Sequence, residues 1–123
     1  MAVKEINFVK MHGCGNDFVI IKTSDHPSLN LSHQDITLIC DRHMGIGCDQ
    51  LVIIDKIVED KVYVHFYNAD GSELGMCGNG VRCIAELVYR ETGHKQQQIF
   101  VSERSLLVEK ALEGWKVNSV KDN

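Results

Sequence analysis

A chain of 123 residues, 44% hydrophobic and 24% charged, has the composition of one ordinary globular domain able to bury a core without disulfide staples. Its net charge of -4, with the basic residues scattered, argues against a nucleic-acid partner, which would call for a basic face that follows the phosphates. No apolar run approaches the length of a membrane span, and Met1 to Lys10 lacks the apolar core of a signal peptide, so the chain reads as soluble and cytoplasmic, without a membrane partner.

In chain order, Ile6 to Lys10 predicts a short strand, Gly13 to Asp17 a glycine loop, and the apolar run Phe18 to Ile21 a second strand. Ser24 to Leu31, with the only proline at Pro27, reads as a loop. Ser32 and Asp35 have the spacing of a helix start, in which the hydroxyl caps a free backbone N–H. Ile36, Ile39 and Cys40 continue an apolar face that should end near Arg42, ahead of Gly45-Ile46-Gly47. Leu51 to Val58 and Val62 to Tyr67 read as two strands of a hairpin; the second alternates apolar and polar residues. Asn68 to Gly71 is a turn.

Gly80 to Glu91 gives the clearest helix. Val81, Ile84, Ala85, Leu87, Val88 and Tyr89 cover most of its circumference, and Arg82, Glu86 and Arg90 form one narrow polar stripe. A helix apolar over so wide an arc is buried on several sides. Ile99 to Ser102, Ser105 to Lys110 and Trp115 to Val120 predict three further strands. The order is not a regular βαβα alternation, so the fold class is α+β: a curved mixed β-sheet or barrel wrapped around a central buried helix, in a single domain spanning residues 1–123.

Five cysteines, an odd number, argue against a disulfide framework, and no pair has the C-x-x-C spacing of a structural zinc site. Cys40 and Cys83 fall on apolar helix faces and read as core, whereas Cys14 and Cys48 fall in glycine loops and read as partly exposed. His12 and His43 flank glycine loops, where a part in a site and structural hydrogen bonding are both open. None of the glycine loops completes a nucleotide-binding fingerprint.

Cys77-Gly78-Asn79-Gly80 is the informative loop, because it leads into the buried helix. Free N–H groups at a helix start favour negative charge, so a thiol there should ionise more easily and a carboxylate could bind beside it. The plainer reading of an isolated cysteine is a buried filler.

Four blocks, taken together, resemble the diaminopimelate epimerase family: Met11 to Phe18, Cys40 to Gln50, Asn68 to Glu73, and Met76 to Cys83. Their order and spacing match over essentially the whole chain. The resemblance implies interconversion of LL- and meso-diaminopimelate, on the route to lysine and peptidoglycan, with neither pyridoxal phosphate nor a metal. Two cysteines would face each other across the substrate α-carbon, one removing the proton and the other returning it. Cys77 matches the first of these. Asn16, Gln50 and Asn68 match positions that contact the small-molecule substrate, and Gly78 and Asn79 match the segment that holds its α-carboxylate.

The family's chain is about twice this length and has two similar halves, the second carrying the other cysteine. This sequence has no second block like Met76 to Gly80. The expectation is therefore an amino-terminal half-enzyme, inactive alone, whose partner is a missing carboxy-terminal half or a second copy. The alternatives are a non-catalytic, self-associating domain fragment and a relative of the proline or hydroxyproline racemases, which share the two-cysteine logic.

Overall fold

The computed structural model describes residues 5–13, 15–75 and 78–119. The elements are β1 (Val9–Gly13), β2 (Asn16–Lys22), α1 (His33–Cys40), β3 (Gln50–Val58), β4 (Lys61–Asn68), β5 (Glu73–Leu74), α2 (Gly78–Thr92), β6 (Gln96–Val101), β7 (Arg104–Lys110) and β8 (Trp115–Ser119). The strands form one sheet in the order β1-β2-β3-β4-β6-β7-β8, with β5 on the far half of β4. Two neighbouring pairs are parallel, β2 with β3 and β4 with β6. Each is joined through a helix, as parallel strands require.

The run Phe18 to Ile21 is buried at every position because β2 has a helix on each side. Phe18 and Ile20 join the large core with Val52, Phe66, Ile84, Ile99 and Val108, on the face that meets α2. Val19 and Ile21 join Leu51, Ile36, Ile39 and Cys40 on the opposite face, under α1. The first strand and the last, β1 and β8, both contact α2 although they stand at opposite ends of the strand order. The sheet therefore curls around α2 as an open half-barrel. This explains the girth of apolar residues on that helix, and Arg82, Glu86 and Arg90 face a cleft of about 250 Å³ between β1 and β8. Trp115 closes one side of it by donating its indole N–H to Glu86 at 3.1 Å. Gly80 lets α2 lie directly on the sheet, since a Cβ there would stand 2.5 Å from the ring of buried Phe66. Among the described residues no helix is long and apolar enough to cross a membrane.

Ser32 caps α1 as its spacing predicts. Its hydroxyl accepts the Asp35 N–H at 3.1 Å, and the Asp35 carboxylate accepts the Ser32 N–H at 3.0 Å. Ser32→Ala is expected to lower stability by about 1 kcal/mol, read as a fall in the urea midpoint at unchanged slope.

The structure revises several local expectations. The first strand is Val9–Gly13 rather than Ile6 to Lys10, because Ile6 packs into the α1-side core and the Asn7 N–H is taken by His26 Nε2 at 2.8 Å. The expected glycine loop contracts to a tight hairpin in which Gly13 pairs with Asn16. Helix α1 stops at Cys40, short of Arg42, because the Ile46 and Gly47 N–H groups fold back onto the Ile39 carbonyl, each at 3.0 Å. Cys48, expected to be partly exposed, is 2% exposed and packs against Cys40. The two-residue β5 carries too little pattern to be visible in sequence. Val120 and the loop residue Cys14 lie outside the described residues.

Candidate active site

Asn16 opens β2, Gln50 opens β3 and Asn68 closes β4, so all three fall at one end of the sheet. The register tightens this placement: Gln50 stands opposite Phe18 on one side and Asn68 on the other. Side chains alternate along a strand. Asn16 therefore shares a face with Phe18 and Ile20, Gln50 with Val52 and Ile54, and Asn68 with Phe66 and Val64, all of them members of the α2-side core. Three half-buried carboxamides thus continue the apolar rows of the concave face to its rim.

Helix α2 begins at that same rim. A Cβ on Gly13, the partner of Asn16, would lie 3.9 Å from the Asn79 carbonyl oxygen and 3.1 Å from Cys83 Sγ. Gly78, the first residue of α2, is exposed and Asn79 is half-buried. Met76 and Cys77, which directly precede them in sequence, lie outside the described residues, so the expectation placed on Cys77 is neither met nor contradicted. Asn68 is held in place by its own turn: its side-chain amide donates to Ser72 Oγ at 3.2 Å and its backbone N–H to the Ser72 carbonyl at 2.9 Å. A carboxamide fixed on one side keeps the rest of its hydrogen-bonding capacity for a ligand.

Behind the rim, on the α1 side, lies a charged clasp. The Asp17 carboxylate accepts both terminal nitrogens of Arg42, at 3.0 and 2.9 Å, and the Asp49 N–H at 2.8 Å, with Lys10 Nζ at 3.3 Å. Asp49 reciprocates by accepting the Asp17 N–H at 3.1 Å and Arg42 Nη2 at 3.0 Å. The Arg42 guanidinium, aided by the Asp49 N–H and Lys10, holds the Asp17 carboxyl well below the usual carboxylate range, although burial works the other way. Asp17 follows Asn16 and Asp49 precedes Gln50, so the clasp ties together the backbones that present two of the three carboxamides. A cleft of about 490 Å³ opens beside it, lined by His12, Gly13, Gly15, Asn16 and the three clasp residues.

The clasp has no counterpart among the residues singled out from sequence. Its only local signal is a pair of acidic residues adjoining Asn16 and Gln50 at strand starts; the separations of 25 and 32 residues within it are set by the fold. Of the two histidines that flank glycine loops, His12 lines the cleft, whereas His43 is exposed and donates its backbone N–H to the Asp41 carboxylate at 2.7 Å.

Residues 8–116 match the family described as diaminopimelate epimerase. The diaminopimelate epimerase of Rickettsia prowazekii is 46% identical over 106 residues, which cover 85% of this chain and 38% of that protein. That of Alkaliphilus metalliredigens is 46% identical over 99 residues, covering 80% and 35%. The chain thus spans little more than a third of the length of these curated relatives. Among solved structures, a predicted epimerase from Pseudomonas aeruginosa superposes with a TM-score of 0.62 at 10% identity, over 92% of this chain and 42% of that one. A phenazine biosynthesis PhzC/PhzF protein from Clostridium difficile gives 0.60 at 12% identity, over 82% and 36%. At such identities these two structures speak for the fold alone, a curled sheet around a helix.

Proposed function

We propose a function that proceeds from one fact: the chain belongs to the diaminopimelate epimerase family. In this reading the chain supplies one face of the active site that epimerises LL-diaminopimelate to meso-diaminopimelate. Cys77 is the base or acid on that face. Asn16, Gln50 and Asn68 bind the substrate's polar groups, and the N–H groups of Gly78 and Asn79 hold its α-carboxylate. The observation that supports this most directly is the convergence of the three carboxamides on the rim where α2 begins.

The chemistry suits those residue types. An α-proton beside a carboxylate is very weakly acidic, and its removal loads negative charge onto the carboxylate oxygens. Donors already fixed at a helix start stabilise that charge without reorganising. A thiolate favoured by the same helix start is a base of suitable strength for a partly desolvated site. The apolar rows of Phe18, Val52 and Phe66 behind the carboxamides limit water on the substrate's inner side. No bound cofactor or metal enters these steps.

Inversion needs a second acid on the opposite face of the α-carbon, and this sequence has no second block like Met76 to Gly80. The second thiol therefore comes from the remainder of a family-length protein or from a second copy of the chain. The coverage of 38% of a relative favours the first source.

The test is exchange of the α-proton of meso-diaminopimelate in heavy water, followed by NMR, with the reduced chain alone and with the carboxy-terminal half of a family member added. Exchange is expected with the added half, and Cys77→Ala should slow it at least ~100-fold, the usual contribution of a positioned acid or base. Exchange that survives Cys77→Ala undiminished would remove Cys77 from the mechanism. Its absence in a folded, docked pair would remove the activity.

A further inference from the structure

Cys40 ends α1 and Cys48 lies two residues before β3, yet their Sγ atoms stand 3.5 Å apart in the smaller core. The two backbones are already docked there, the Cys48 N–H donating to the Cys40 carbonyl at 3.1 Å. Between them runs the segment that carries Arg42, itself folded back onto Ile39 by the N–H groups of Ile46 and Gly47. Two small apolar fillers would account for the burial alone. They would not require sulfur to face sulfur across a loop whose ends are already joined by a hydrogen bond.

We propose that Cys40 and Cys48 form a modification site, a dithiol that a hydroperoxide converts into an intramolecular disulfide fastening the Arg42 loop. A disulfide needs the sulfurs to close to about 2.05 Å, a movement that side-chain rotation and a small backbone adjustment can supply when the main chains are this near. The pair is unsymmetrical. The contact with Cys48, with burial, pushes the Cys40 thiol up, while the contact with Cys40 brings the Cys48 thiol down. Exposures of 3% and 2% select a small oxidant over a bulky disulfide.

The electrons balance without a further reagent. The Cys48 thiolate attacks the peroxide O–O bond, which breaks; one oxygen stays on sulfur as a sulfenic acid and the other leaves, after protonation, as water or an alcohol. The Cys40 sulfur then attacks the sulfenic sulfur, the S–S bond forms, and the hydroxyl leaves with the Cys40 proton as water. Two electrons pass from the sulfurs to one peroxide bond. The cross-link joins the end of α1 to the approach to β3 and holds Arg42 over Asp17 and Asp49. The site requires no assumption about the substrate.

The reduced full chain is treated with hydrogen peroxide, unfolded, alkylated and mapped by mass spectrometry. The expected product is monomeric, lighter by two hydrogens, yields a linked Cys40–Cys48 peptide and reverts with dithiothreitol. Its Tm should exceed that of the reduced chain by about 5 °C, as expected for a short closed loop, and Cys48→Ala should abolish this rise. Recovery of Cys40 and Cys48 both alkylated, or linked to other cysteines, overturns the site. A Cys40–Cys48 disulfide that leaves the Tm unchanged overturns the fastening role. The wild-type map does not depend on any variant folding.

Discussion

Gly45→Ala is expected to lower the unfolding free energy by about 3 kcal/mol, one of the larger effects open to a single methyl group in this chain. A Cβ at that position would stand 1.8 Å from the Leu38 carbonyl oxygen and 2.9 Å from that of Ile39. Both contacts are with backbone at the end of α1, so no side-chain rotation relieves them. The segment must lift, and lifting it breaks the bonds from the Ile46 and Gly47 N–H groups to Ile39. Urea denaturation should show a lower midpoint at unchanged slope. Gly75→Ala is the control: nothing lies within 4 Å of its added methyl, and the change should stay within about 0.5 kcal/mol. Equal losses at the two positions would mean that close approach to α1 is not what requires Gly45.

The second large effect belongs to Asp17. Asp17→Ala removes the bidentate partner of Arg42, which keeps only Asp49, and the shorter of the two bonds made by the Asp49 N–H, which keeps the residue-17 carbonyl at 3.2 Å, at an expected cost of about 2 kcal/mol near neutral pH. The pH dependence follows from the direction of its titration. The folded carboxyl ionises well below the ordinary value of 3.8, chiefly because of Arg42, so its contribution is present above that value. It is lost progressively as pH falls below about 4 toward the lower folded value. Asp17→Asn should therefore flatten the acid side of the stability profile while lowering its plateau. A profile parallel to that of the unsubstituted chain between roughly pH 4 and pH 2 would show that the clasp is not the acid-sensitive element. The same substitution bears on the site, since a loosened clasp frees the backbones that present Asn16 and Gln50.

These two predictions fall on residues with very different visibility in sequence. Gly45 sits in a conspicuous break after a helical pattern, and its role as a terminator could be read locally; the carbonyl it must avoid could not. Asp17, Arg42 and Asp49 lie in blocks that mark the family, but nothing in their spacing says that two acids and an arginine meet. The carboxamides are an intermediate case. Asn16, Gln50 and Asn68 entered through resemblance, since an amide in a loop has no chemistry that singles it out. Their common rim follows from β2 and β3 running parallel and from β4 pairing antiparallel with β3.

What the amino-acid sequence determined by itself is what depends on neighbours a few residues away: the Ser32 cap, the turn at Asn68 to Gly71, the strand runs, and the broad apolar girth of α2 that calls for enclosure on several sides. Side-chain periodicity is a local consequence of backbone geometry, so it survives in one dimension. Strand order, register and curl are settled by competition among many similar apolar strands for one core, a global choice that no short window records. The tertiary structure alone decided that β1 and β8 would flank α2, that Cys48 would be buried against Cys40, and that Arg42 would reach back across 25 residues to Asp17.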